Sequence, residues 1–193
     1  MRRAQLLRAT ALSAALACSA LYPAAAAAED WAPDRSLGVF AGVGYLASPG
    51  TSGGAFWMGG RLGLGAHFAA GFDVGYGLLN AYPAVQDRWW VMPSAALVIP
   101  TGRLRWDIGG GFGVGTSSGY DSWSAYRAAP FGPVWHYTVP AARVHITAAF
   151  DLTHSWNVFA RADAGTVFIG SAHDGAIDTT WGGLWLGVES RLF

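Results

Sequence analysis

The chain contains no lysine and a single cysteine, Cys18. With no second cysteine, disulfides are excluded, and a core or a membrane must supply the stability. All twelve cations are Arg and three of them precede residue 9, so no basic patch suited to nucleic acid remains. Charged residues are only 12% of the chain. No apolar run after residue 28 reaches the roughly 18 residues that a transmembrane helix needs, because a polar residue or a Gly-rich break always intervenes. No metal-ligand spacing stands out. The Gly-x-Gly run from Gly109 to Gly115 precedes no helical pattern, which removes a nucleotide-binding fingerprint. What the chain does have is apolar and strand-forming: 52% hydrophobic residues, 27 Gly, 10 Trp, 10 Phe and 7 Tyr.

The N-terminus has the layout of an export signal. Arg2, Arg3 and Arg8 form a positive region, Leu6 to Leu21 contains an apolar stretch, and Ala26-Ala27-Ala28 precedes Glu29 as a small-residue cleavage site. The reading is a signal peptide over 1–28, a short periplasmic segment over 29–36 and one domain over 37–193. Nine Arg and twelve acids follow residue 28, so the exported part carries a net charge of −3. An exported, apolar chain without a membrane helix fits a barrel that crosses the bilayer on strands.

Alternation of period two carries this reading. Phe56, Met58, Leu62, Leu64 and Phe68 alternate with Trp57, Gly59, Arg61, Gly63 and His67. Phe72, Val74, Tyr76 and Leu78 alternate with Gly71, Asp73, Gly75 and Gly77. Leu104, Trp106, Ile108, Phe112 and Val114 alternate with Arg103, Arg105, Asp107, Gly109, Gly111 and Gly113. Weaker copies cover 37–46, 88–99, 134–150, 158–169 and 181–193, giving eight segments near the ~9–11 residues of a membrane-crossing strand. The expected connectors alternate in length. Those at 69–71, 100–102 and 153–157 are short; those at 48–54, 81–87, 116–133 and 170–179 are longer, as external loops are. The fold class predicted is all-β: an eight-stranded antiparallel up-and-down transmembrane β-barrel. A soluble, lipocalin-like barrel is the competing architecture.

The signal, the alternating segments and a last strand ending Glu189-Ser190-Arg191-Leu192-Phe193 resemble the small OmpA/OmpX-type outer-membrane barrels. The resemblance implies residence in the outer membrane of a Gram-negative cell envelope. It also implies a terminal Phe, here Phe193, read by the barrel-assembly machinery. Counting back by twos from Phe193 meets Arg191 and Glu189, a departure from the family's apolar terminal face.

An eight-stranded barrel is just wide enough inside for side chains. The inward faces predicted above carry Arg61, His67, Asp73, Arg105, Asp107, Arg143, His145, Arg161, Asp163, Glu189 and Arg191, in signs that can pair. The repeats Arg105-x-Asp107, Arg161-x-Asp163 and Glu189-x-Arg191 keep both charges of each pair on one face. Toward the external end, small residues (Gly38, Gly42, Gly44, Gly75, Gly77, Gly111, Gly113) oppose large ones (Trp57, Trp90, Trp135, Tyr137, Trp181, Trp185). Small-against-large packing would fill the bore. The alternative is an apolar pocket that takes an acyl chain. His154-Ser155 is a base beside a hydroxyl, but in a short turn on the periplasmic side. The expected function is a non-enzymatic, plugged barrel without cofactor or metal. It would serve the envelope or present loop 116–133, with Tyr120, Trp123, Tyr126 and Phe131, to outside partners. A lipid-active barrel, as a lipid A-modifying enzyme or an acyl-chain binder, is the other reading.

Overall fold

The computed structural model describes residues 36–81, 84–120, 135–168 and 180–192. The strands are β1 (Leu37–Ser48), β2 (Thr51–Gly63), β3 (Phe68–Ala81), β4 (Ala84–Thr101), β5 (Leu104–Tyr120), β6 (Trp135–Asp151), β7 (Trp156–Val167) and β8 (Thr180–Arg191). Each pairs antiparallel with its neighbours in sequence, and β8 closes on β1 through pairs such as Gly42 with Gly187. Closure leaves no unpaired strand edge, the condition for crossing a bilayer on strands.

The pleat sorts the side chains. Val43, Met58, Val91, Ile108, Phe112, Val144, Ile146, Leu184 and Leu186 all lie exposed on the exterior. A soluble barrel of the lipocalin type would put polar residues there; this belt is suited to hydrocarbon. Aromatic residues flank it, with Tyr45 and Trp89 toward one rim and Phe68, Phe150 and Trp156 toward the other, all exposed. Pro93 has no N–H to give to a ladder. It faces outward, where the β4–β5 pairing skips from Val91 to Ser94.

The turns fall differently from the expected connectors. β2 ends at Gly63 and the turn spans 64–67, so Phe68 begins β3 instead of ending β2. Gly65 has φ +87°, and Leu64 N donates to Phe68 O at 2.8 Å. At the other rim, β1 and β2 are joined by Pro49-Gly50 alone, not by a loop over 48–54. Pro49 presets one turn position and Gly50, at φ +80°, takes the left-handed one. β3 and β4 likewise extend into 81–87 and leave two residues between them. Of the expected loop 116–133, residues 116–120 complete β5. The signal region 1–28, the segment 29–35, the rest of that loop, the whole of 170–179 and Phe193 lie outside the described residues. The parity of β8 continues to its end, with Leu192 exposed and Glu189 buried.

Candidate functional site

The inward face is the site that the fold builds, and its residues lie in tiers. At the rim that carries both described chain ends, Arg191 on β8 meets Asp151 on β6 at 2.6 Å. Arg191 therefore pairs across the bore and not with Glu189 two residues away. The next tier is a square of opposite charges. Arg105 reaches Glu189 at 2.6 Å and Asp107 at 3.2 Å. Arg61 reaches Asp107 at 3.3 Å and Glu189 at 3.7 Å. Asn157 Nδ2 donates to Glu189 at 3.0 Å, so this carboxylate has three different donors around it. Each charge is drawn from a different strand or from alternate positions of one strand, and each is nearly buried. Such groups are tolerated inside only when paired and hydrogen-bonded.

Farther in, Arg143 on β6 makes an ion pair with Asp73 on β3 and lies 3.8 Å from Asp163 on β7. Arg161 lies 3.7 Å from Asp163, and its guanidinium sits 4.4 Å from the centre of the Trp57 ring. That contact is a cation–π interaction at the border between the charged and the aromatic parts of the bore. His145 faces the same space, paired in register with Asp163. His67 does not join the network: it lies exposed in the 64–67 turn, with Nδ1 3.3 Å from Val98 O.

Above this tier the bore is aromatic. Trp57 and Trp185 have ring centres 6.0 Å apart, Trp90 and Trp185 5.8 Å, and Trp90 and Trp181 5.8 Å. Phe40 and Phe159 pack on Trp57 at 4.4 Å and 5.3 Å. Leu46, Leu79 and Met92 complete the layer, all buried. Glycine makes room for the indoles. A methyl group at Gly75 would overlap the Trp90 ring, and one at Gly165 the Trp181 ring. The space left among these residues is about 30 Å³. A space of that size is far short of an acyl chain. Tyr137 is half-buried and lines its outer side; the side chain of Trp135 lies outside what the structure describes. At the outer rim Arg88 donates to Ser48 at 2.8 Å and Gln86 to Ser117 at 2.6 Å.

Sequence reasoning missed Asp151, Asn157, Phe40, Phe159, Leu46 and Leu79 as inward residues. Phe40 and Phe159 share parity with Gly42 and Arg161, which was the available signal. Asn157 fell in what read as a turn, and Asp151 lay just past the end of the strand read over 134–150. A cross-strand pair was also missed: Ser118 on β5 lies 2.9 Å from Nδ1 of His136 on β6. Both stand on the outer face in one row with Asp87, whose register partner is Ser118. Ser118 is buried, and Asp87 lies across from the hydroxyl and not from the imidazole. A nucleophile needs a base that is itself oriented by a third group, and Asp87 does not stand in that position. His154, in the exposed turn at the opposite rim, is far from this pair along the barrel.

No family model and no curated protein matches the chain. Solved structures do. Neisserial surface protein A (NspA) aligns with a TM-score of 0.63 at 12% identity, over 82% of this chain and 97% of that one. A major outer membrane protein from Thermus thermophilus aligns at 0.53 and 14% identity, over 82% and 99%. The chain has the fold of the small outer-membrane β-barrels. Ail, the attachment invasion locus protein of Yersinia pestis, solved with the heparin analogue sucrose octasulfate, aligns at 0.52 and 13% identity, over 82% and 97%. At these identities the likeness concerns architecture. The small outer-membrane barrel is a fold that crosses bacterial outer membranes on strands, and the apolar exterior belt described above is built for that setting.

Proposed function

We propose that this barrel is a non-enzymatic component of the outer membrane with a plugged lumen, serving envelope structure and the presentation of surface loops. One observation carries the reading. The bore is occupied by ion-paired and aromatic side chains from the rim of the chain ends to the opposite rim, and the described interior cavities measure only about 30 to 50 Å³ each. No solute of nutrient size passes such spaces.

Both described chain ends share one rim with the turns 64–67, 102–103 and 152–155, the periplasmic rim in barrels of this kind, while β5 and β7 end at the other, toward the two longest connectors. With that orientation β5 ends on the outer side, and we read the connector that follows it, with Tyr120, Trp123, Tyr126 and Phe131, as the contact segment. Aromatic side chains offer large contact area at low entropic cost. We read β8 and the C-terminal residues up to Phe193 as the segment offered to the barrel-assembly machinery. The test is mass spectrometry of lipid A from cells expressing the wild type or the His136→Ala variant. An identical acylation pattern in both, and in cells lacking the protein, is expected. A change in acyl chains that vanishes in the variant would overturn the non-enzymatic reading and favour a lipid-active barrel.

A further inference from the structure

The bore changes character along its axis, and the change falls at Trp57. Below it lies a chamber of about 50 Å³, counted as space open to the centre of a water molecule. Asp73, His145 and Arg161 line it. Asp73 Oδ1, His145 Nδ1 and Arg161 Nε and Nη2 are buried and meet no hydrogen-bond partner among the described residues. Buried polar atoms left in this way cost free energy unless something satisfies them. The charges around the chamber balance, with Arg61, Arg105 and Arg161 facing Asp73, Asp107 and Glu189. An ion of either sign would upset that balance. Water, neutral and able both to donate and to accept, suits every orphaned atom, and the space holds about three or four molecules.

This chamber does not stand alone. Arg61 and Arg105 also line a second cavity of about 50 Å³ at the mouth nearest the chain ends, together with Ser36, Asp151 and Arg191. Polar surface therefore continues from that mouth to the underside of Trp57. On the far side the bore is closed by indoles and aliphatic side chains around the small space of about 30 Å³. Apolar constrictions of this kind expel water and stop ions.

We propose that the lumen is a half-channel, hydrated from the periplasmic mouth to Trp57 and sealed beyond it by the indole layer. The indoles, not the ion pairs, are then the barrier to ions. This rests on the plugged-lumen reading, and the experiment separates the two.

Planar-bilayer recordings compare three proteins: the wild type, a Trp57→Ala/Trp90→Ala/Trp185→Ala variant, and an Arg161→Gln/Asp163→Asn variant that keeps the charge balance. Folding of each is first verified by its mobility on unheated gels. The wild type and the charge variant are expected to stay closed, and the indole variant to show discrete conductance steps. A conducting wild type overturns the plugged lumen itself. A closed wild type with a closed indole variant overturns the half-channel alone, as does a charge variant that conducts like the indole variant. Should the indole variant fail to fold, oxygen-17 relaxation dispersion decides the matter by counting long-lived internal waters. The wild type is expected to show several, and Ala96→Leu, which projects into the chamber, fewer. A wild type without such waters, or a count that Ala96→Leu leaves unchanged, overturns the proposal.

Discussion

Glu189 sits with two guanidinium groups and an amide around one carboxylate. Arg105 is the nearest of these partners and also holds Asp107. Removing Arg105 leaves two acids facing the single cation Arg61 in a nearly buried tier. Arg105→Ala is therefore expected to destabilise the barrel by roughly 3–5 kcal/mol, as when a buried pair loses one partner. Urea unfolding in lipid or detergent measures the loss. Adding Glu189→Gln to Arg105→Ala should cost less than the two single losses summed, because the second change removes a charge that the first had stranded. A loss near zero for Arg105→Ala would mean that the tier is solvated like a surface.

At the scale of strands, alternation does most of the work and also marks where sequence reading stops. The inward and outward faces of 56–62, 71–78 and 104–114 were legible because each residue's neighbours two away share its character. The turn at 64–67 was not. Leu64 and Phe68 are both exposed, so the period runs through the turn uninterrupted. Its one marker is Gly65, indistinguishable in sequence from the many glycines that merely make room. The two-residue turn at Pro49-Gly50 was hidden in a run of small residues that read equally well as loop. Position along the strand also sets what a substitution costs. Phe112 lies on the exterior midway along β5, whereas Leu64 lies in the rim turn. Phe112→Arg is expected to cost about 2–4 kcal/mol and Leu64→Arg about 0–1. Unfolding midpoints in phospholipid bilayers compare them; equal costs would contradict the assigned depths.

For the whole molecule, the number of strands and the presence of a charged interior could be read from the chain, but the partners could not. Ring closure decides which charges meet. It brings Arg191 to Asp151 and Arg143 to Asp73, pairs separated by 40 and 70 residues. Pairing at such separation depends on strand tilt and stagger around the barrel, which period two does not encode. The local repeats misled where a farther partner stood closer, as Glu189-x-Arg191 shows. The aromatic layer was anticipated as a set of facing Trp and Gly residues. That it fills its space follows only from the three-dimensional overlap of Trp90 with Gly75 and of Trp181 with Gly165. All of this presupposes a closed barrel in a membrane, and one measurement tests that most directly. Outer-membrane fractions from cells expressing the chain are run on gels unheated and heated. A closed barrel resists detergent unfolding, so the account predicts recovery in that fraction and two different mobilities. Recovery in the soluble periplasm, or one mobility regardless of heating, would contradict it.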